Sequence, residues 1–256
     1  MVKQNRKKTW RSAAAQSLLE LAGGAGTVES AVASLAEGYL QGTTRPPTDL
    51  DQIAPKLGIT GFEAAEIAGS GELRRDGDRL RVFYSIDLSA DRRRFTIAHE
   101  MGHALLESTG PKRPQKGKEV ERLCDMFAVE LLMPRQEFLD RAHGEASTER
   151  ILELARHFRT SLTTTGIRYA ELLGVSVFAC QDERVIWGKD VFRRAALNSI
   201  DDSFWPAIRR ALEGETSYDE FFLSSDTSYR RWRFECRPLA MGRSVLCLLQ
   251  PATAKR

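Results

Sequence analysis

Hydrophobic and polar residues repeat with two different periods along this chain, and each period predicts a type of element. Apolar residues recur at helical spacing over residues 13–40, which predicts one or two helices interrupted at the glycines of residues 23–26. A shorter helix is predicted over residues 49–57, with Thr48 as its N-cap and Gly58 at its end. The beginning of the chain is therefore expected to be largely helical.

The pattern changes to that of short strands after this helix. Residues 79–86 alternate between apolar and polar side chains, as a half-buried strand does. The pair Asp76-Gly77 lies between Leu73 and Leu80, and Asp-Gly between two apolar runs is a strong signal for a tight hairpin. A small β-sheet is therefore predicted here.

Helical spacing returns in the middle of the chain. One helix is predicted from Ser89 or Asp91 to about Glu107, and a second over residues 119–133, ending at Pro134. These two helices carry the residues whose chemistry is described below.

The sequence predicts an α+β fold in three parts. Residues 149–173 predict two short helices with helix-turn-helix-like spacing, and the chain from residue 175 predicts short strands around one helix over residues 203–212. The parts are a mainly helical domain with a small β-sheet over residues 1–140, whose basic tail covers residues 1–12, a helix-turn-helix-like segment over residues 141–174, and a small α+β domain of unknown role over residues 175–256.

Composition is that of a soluble globular protein. Of the 256 residues, 42% are hydrophobic and 29% are charged, which excludes a disordered chain, a collagen-like fibre and a small disulfide-stapled module. A net charge of +3 does not indicate nucleic-acid binding by bulk charge. No apolar run approaches the roughly 20 residues that a membrane-spanning helix needs. We therefore expect no membrane partner.

A cytoplasmic location is predicted from the N-terminus and the cysteines. Residues 1–11 are basic, but Gln16, Ser17 and Glu20 interrupt the apolar region that a signal peptide would need. The cysteines are scattered and have no metal-knuckle spacing, so they are expected to be reduced and buried. They are Cys124, Cys180, Cys236 and Cys247.

One motif carries metal chemistry, the sequence His99-Glu100-Met101-Gly102-His103. On a helix, His99 and His103 lie one turn apart on the same face, where their imidazoles can bind one Zn²⁺. Glu100 is offset by about 100° and is not placed to be a ligand. It can instead act as a general base on a water molecule beside the metal.

The third protein ligand is expected from the following helix. Glu121 and Asp125 are four residues apart and share a face, so one can bind the metal while the other accepts the N–H of a ligand histidine. Glu119 points elsewhere on the helix and is the weaker candidate, and Cys124 is a possible soft ligand. His143 and His157 lie outside any metal-like pattern and are interpreted as surface or packing residues.

Other segments allow weaker interpretations. The predicted helix pair of residues 149–173 can bind DNA, but bracing of the catalytic domain is the favoured interpretation. Residues 230–233 mix arginines with a tryptophan, as single-strand binders do, and an amphipathic edge strand explains them equally well. A substrate segment is hypothesised to pair with the strand of residues 79–86. Tyr84 and Tyr169 are weak candidates for an oxyanion-stabilising group.

The two central helices resemble the ImmA/IrrE family of metallopeptidases. Phe95-Thr-Ile-Ala-His-Glu-Met-Gly-His103 matches the first family helix, and Glu121-Arg-Leu-Cys-Asp-Met-Phe-Ala-Val-Glu-Leu-Leu-Met-Pro134 matches the second. Cys124 stands where alanine is usual in the family. The resemblance covers about residues 35–134, is fainter as far as residue 173, and is absent after about residue 175.

The resemblance implies a zincin-like, metal-dependent endopeptidase with two histidines and one glutamate as ligands. Carried over by position, His99, His103 and Glu121 are the ligands, Glu100 is the catalytic base, and Asp125 orients a histidine. Zn²⁺ is the expected metal, with Mn²⁺ or Fe²⁺ as alternatives, because such a site accepts several divalent ions.

The resemblance also implies a class of substrate. Members of the family cleave a helix-turn-helix transcriptional repressor and thereby release genes of mobile elements or of the stress response. We therefore expect a protein substrate of this kind for the present chain. The alternatives are a non-catalytic binding module with a peptidase-like fold, or a DNA-binding regulator with a metal-stabilised core.

Overall fold

The computed structural model describes residues 10–24, 26–109, 117–182, 184–189, 202–225, 228–240 and 243–252. Residues 1–9, which make up most of the predicted basic tail, lie outside the described residues. The chain divides into two compact units. The first comprises Met1–Glu137 with Phe158–Thr160, and the second comprises Phe138–His157 with Ser161–Arg256.

The first unit combines helices with a three-stranded sheet, and its elements follow the predicted order. Its helices are α1 (Ala13–Leu21), α2 (Val28–Leu40), α3 (Leu50–Ile53), α4 (Ala90–Thr109) and α5 (Lys118–Leu132), and its strands are β1 (Ile59–Ala65), β2 (Gly71–Asp76) and β3 (Arg79–Ser85). Gly23 and Gly24 separate α1 from α2 with φ of 95° and 76°, conformations that favour glycine. The break predicted within residues 13–40 is thereby confirmed.

The short helix predicted over residues 49–57 begins one residue later than predicted. The side chain of Asp49 caps α3 by accepting a hydrogen bond from the amide of Asp51. Thr48 is buried instead, and its hydroxyl donates to the carbonyl oxygen of Leu131 at 2.7 Å. The predicted cap was therefore wrong, because Thr48 is used to tie this loop to the end of α5. A 3-10 turn over Ala54–Leu57 completes the segment, and Gly58 ends it with φ 71°.

The small sheet has the order β1-β3-β2. The predicted hairpin is confirmed, since β2 and β3 pair in antiparallel register around Gly77, which has φ 59°. β1 runs parallel to β3 on the other side. The strand predicted over residues 79–86 is therefore the central strand of the sheet, and β2 lies at its edge.

α4 and α5 pack closely through a glycine of the histidine motif. A Cβ atom added to Gly102 would lie 2.7 Å from the Cα of Cys124 and 3.0 Å from its Cβ. Cys124 is fully buried at this crossing. A small residue is therefore needed at both positions, which explains why cysteine can replace the alanine usual in the family.

We expect Gly102→Ala to destabilise the protein by about 1–3 kcal/mol, because the added methyl meets backbone atoms that cannot move independently. Gly38→Ala is the control, since a Cβ at this position of α2 meets nothing within 4 Å. That change should stabilise the protein by up to about 1 kcal/mol through helix propensity. Urea unfolding followed by circular dichroism measures both effects. Equal stability of the two variants would contradict this description of the crossing.

The second unit is built on a five-stranded antiparallel sheet with the order β5-β4-β8-β7-β6. Its elements are α7 (Thr148–Phe158), α8 (Leu162–Leu173), β4 (Ser176–Gln181), β5 (Arg184–Lys189), α9 (Trp205–Leu212), β6 (Ser217–Ser225), β7 (Ser228–Leu239) and β8 (Ser244–Pro251), with a 3-10 turn over Asp202–Phe204. Helix α6 (Arg135–Ala142) spans the boundary between the units. The sequence pattern missed α6 and β6.

Helix α9 covers one face of this sheet. Its buried residues Ala207, Ile208 and Ala211 belong to one hydrophobic cluster with Phe234 and Cys236 of the sheet. The α+β fold class is therefore confirmed, and the second unit has a core of its own. All four cysteines are free and buried, as expected.

The helix pair α7–α8 belongs to this second unit. α8 packs against the sheet, where a Cβ at Gly166 would lie 2.7 Å from the ring of Trp187. Arg168, the basic residue of α8, is itself buried. Because DNA recognition requires exposed basic groups near the phosphates, the arrangement gives no support to α8 as a recognition helix.

The segment of residues 230–233 is part of β7, in the interior of the sheet. Trp232 is only 5% exposed, so its ring cannot stack on bases. Arg231 pairs with Glu220, and Arg233 pairs with Glu145. Both the single-strand-binding interpretation and the edge-strand alternative were therefore wrong.

Among the described residues, no helix combines the length and apolar composition that crossing a bilayer requires.

Candidate metal centre

The two histidines of the motif lie on the partly buried side of α4. The carbonyl oxygen of Ser89 accepts from the amide of Arg93 at 2.8 Å, which places Ser89 rather than Asp91 at the start of the helix. The apolar face of α4, which includes Ala98 and Met101, is fully buried. The imidazoles of His99 and His103 therefore point to one side, with ring centroids 5.0 Å apart.

Asp125 of α5 holds the first histidine. Its Oδ1 lies 2.8 Å from Nδ1 of His99. An ionised carboxylate only accepts hydrogen bonds, so Nδ1 carries the proton and donates. In the neutral ring this leaves the lone pair of Nε2 free on the opposite side, which is the tautomer that a metal needs.

Asp125→Asn is expected to weaken metal binding by about 10–100-fold, the usual effect of losing a partner of a ligand histidine. The amide can present its NH₂ to Nδ1 and stabilise the wrong tautomer. Competition with a chromophoric chelator at fixed pH measures the affinity. Affinity equal to that of the wild type would show that the hydrogen bond has no such role.

Glu121 brings a carboxylate oxygen to both rings. Its Oε2 lies 3.3 Å from Nε2 of His99 and 3.7 Å from Nε2 of His103. Two ligand atoms bound at about 2.0–2.1 Å in a tetrahedral zinc site are about 3.3–3.4 Å apart. Both separations are close to this value, so Glu121 is placed to share a small divalent metal with each histidine. Glu121 is 53% exposed, which leaves this side of the group open to solvent.

Cys124 offers a second possible donor. The ligand atoms of His99, His103 and Cys124 all lie within 4.8 Å of one another, so this group can hold a metal ion. The thiol is fully buried at the helix crossing. Burial, followed by the negative charges of Glu121 and Glu100, holds the pKa of Cys124 far above its ordinary value. The distances therefore permit Cys124 as a soft ligand. The raised pKa of its thiol disfavours the thiolate, which is the form that binds a metal.

The two imidazoles have opposite pKa shifts. Burial acts to lower the pKa of His99, but its hydrogen bond to Asp125 and the surrounding carboxylates outweigh burial, and the pKa is raised. The pKa of His103 is lowered, first by burial and then by the charge of His99. The ring that keeps its proton longer is therefore the one bonded to Asp125.

Glu100 lies beside the histidines but is turned toward the sheet. It is only 7% exposed, and burial is the largest cause that raises the pKa of its carboxyl group. The positive charge of His99 and a hydrogen bond from the amide of Leu73 oppose this effect. A carboxylate whose pKa is raised accepts a proton more readily, which suits the role of a general base.

The edge strand β2 comes close to this carboxylate. A Cβ atom added to Gly71 would lie 2.8 Å from Oε1 of Glu100 and 2.4 Å from the methyl group of Thr96. The sequence pattern assigned no role to Gly71. The outer edge of β2 faces the site, whereas β3 is paired on both sides. The hypothesis that a substrate pairs with residues 79–86 is therefore wrong.

The remaining candidates take no part in this group. Glu119 points toward α1, where its carboxylate accepts from the amides of Arg11 and Ser12. Tyr169 is fully buried in the second unit, and its hydroxyl accepts from the amide of Ser147. His143 and His157 also belong to the second unit. An ion pair of 2.6 Å between Arg75 and Glu107 links β2 to α4 beyond His103.

Comparison with known proteins gives a matching family model and a similar fold. Residues 56–169 match the family model described as the IrrE N-terminal-like domain. A solved structure of a Mycobacterium tuberculosis transcriptional regulator has a similar fold, with a TM-score of 0.55 and 15% sequence identity, over 87% of this chain and 76% of that one. No curated protein sequence shows significant similarity to the chain.

The matched segment includes both helices of the metal centre and defines a metallopeptidase-type domain. Over residues 56–169 the match confirms the resemblance to the ImmA/IrrE family that the sequence shows.

Proposed function

We propose that the protein is a zinc-dependent endopeptidase that cleaves a regulatory protein. One observation carries this proposal: Nε2 of His99 and of His103 both face Oε2 of Glu121, next to the buried carboxyl group of Glu100. The proposed base is thus close enough to His99 and Glu121 to interact with their charges. Metal-dependent hydrolysis needs this combination.

Each residue has a separate role in the proposed reaction. His99, His103 and Glu121 hold the metal, and Asp125 fixes the ring orientation of His99 by its 2.8 Å hydrogen bond. Zn²⁺ held by these ligands would supply Lewis-acid chemistry: it would lower the pKa of a coordinated water toward neutrality and polarise the carbonyl of the scissile bond. Glu100 takes the proton from the attacking water and delivers it to the leaving amine.

The edge strand β2 is proposed to hold the substrate. An extended peptide can add to an exposed sheet edge by backbone hydrogen bonds. Leu73 has its amide directed to this side, where it donates to Glu100. A peptide on this edge would therefore lie next to the catalytic carboxylate.

The proposed substrate is a helix-turn-helix transcriptional repressor in the cytoplasm, and its cleavage would relieve repression of mobile-element or stress-response genes. The resemblance of the domain to the ImmA/IrrE family supports this assignment. The fold shared with a protein described as a transcriptional regulator is compatible with a role in gene regulation. Mn²⁺ or Fe²⁺ can replace Zn²⁺ in such a donor set, depending on availability.

A survey of new protein N-termini in host cells tests this proposal. Cells expressing the wild type are compared, under the relevant stress, with cells expressing Glu100→Gln. A cut that appears only with the wild type, in a protein with a helix-turn-helix, would support the proposal and identify the substrate. Identical profiles from metal-loaded proteins would contradict it and favour the non-catalytic binding module.

A further inference from the structure

We infer that Trp10, Glu119 and Arg122 are positioning residues for the metal ligand Glu121. This inference rests on the proposed metal site, and it concerns the contacts between the start of α1 and the first turn of α5. We call these contacts the α1–α5 clamp. Its members are Trp10, Arg11, Ser12, Glu119 and Arg122.

The first turn of α5 has little support from its own sequence. Its N-cap is Gly117, which makes no side-chain capping bond. Helix termini without caps fray readily, since their first amides have no partner within the helix. Glu121 lies in this turn and is 53% exposed, so packing around its own side chain does little to hold it.

The clamp supplies the missing support from the opposite side of the helix. The carboxylate of Glu119 accepts from the amide of Ser12 at 2.7 Å and from the amide of Arg11 at 3.1 Å. These bonds place a negative charge at the start of α1, where the helix dipole favours it. Glu119 thus joins the first turns of the two helices.

An aromatic contact strengthens the same junction. The guanidinium carbon of Arg122 lies 4.5 Å from the centre of the Trp10 ring, within the range of cation–π attraction. The indole N–H of Trp10 donates to Glu29 of α2 at 3.0 Å. The ring is therefore fixed by α2 and in turn holds α5.

The clamp residues flank the ligand along the chain. Glu119 lies two positions before Glu121 and Arg122 lies one position after it, so the clamp fixes the backbone on both sides of the ligand. The distances from the exposed carboxylate of Glu121 to the two histidines depend on that backbone. The clamp therefore sets how well Glu121 is placed for the metal before the metal binds.

Zinc affinity measured by chelator competition tests this inference. We expect Glu119→Ala and Trp10→Ala each to weaken zinc binding about tenfold, the lower end of the effect of outer partners. Lys118→Ala is the matched control, because Lys118 is an exposed residue of the same turn, and its affinity should equal that of the wild type. Circular dichroism of the metal-free variants verifies that each one is folded.

A double-mutant cycle separates positioning from general destabilisation. If the clamp acts through Glu121, Glu119→Ala should have no effect on the residual zinc affinity of Glu121→Gln. The same loss in both backgrounds would overturn the inference, as would wild-type affinity in Glu119→Ala and Trp10→Ala. If Glu121→Gln itself binds zinc like the wild type, both the ligand assignment and the clamp are wrong. If the affinities follow expectation but no peptide is cleaved, the clamp stands and the proposed hydrolysis fails.

Discussion

Glu100→Gln is expected to lower peptide hydrolysis by about 10²–10⁴-fold while zinc affinity stays close to that of the wild type. General-base catalysis contributes a factor of this size, and the glutamine amide cannot accept a proton. Zinc binding should be retained because Glu100 is not one of the proposed ligands, and its carboxylate accepts a hydrogen bond from the amide of Leu73 beside Gly71. The loss should therefore appear in kcat and not in metal content.

The measurement uses zinc-loaded protein and the substrate identified by the survey of N-termini. Asp91→Asn is the control, since it removes a carboxylate from the first turn of the same helix. Its hydrolysis rate should match that of the wild type. Full activity of Glu100→Gln would contradict the assigned base, and loss of zinc from this variant would contradict its separation from the ligands.

Glu121→Gln is expected to lower zinc affinity by more than the 10–100-fold that loss of an outer partner costs. The change removes the negative charge from the Oε2 atom, which lies 3.3 Å and 3.7 Å from the two Nε2 atoms. Activity should fall with the metal content. Cys124→Ala should retain wild-type zinc affinity, because the thiol is fully buried at the crossing of α4 and α5 and its thiolate is disfavoured.

Chelator competition on both variants distinguishes the two donor sets that the distances permit. The opposite result, with affinity lost in Cys124→Ala and retained in Glu121→Gln, would assign the third ligand to the His-His-Cys group. Urea unfolding of Cys124→Ala measures how far the cavity left by the removed sulfur destabilises the protein. Equal loss in both variants with unchanged stability would mean that both residues contact the metal.

The two helices of the metal centre and the hairpin could be predicted because their signals are local. The spacing of His99 and His103 fixes their common face through the helical repeat alone, and Asp76-Gly77 specifies a tight turn by its own backbone preference. Helix α6 and strand β6 were missed because their residues carry no comparable periodic or capping signal. Thr48 was assigned as a cap on local grounds and was instead used in a contact with the distant Leu131.

The sequence by itself determined which residues carry the chemistry, since the motif helix and the acidic helix each place their groups on one face by local geometry. Only the tertiary structure decided which side chains meet. It brought Asp125 to Nδ1 of His99 and Glu121 to both Nε2 atoms, and it turned Glu119 away to α1. It also made β2 the edge strand beside Glu100. The physical reason is that these contacts depend on how separate elements pack, and a local pattern fixes the face of an element but not its neighbour.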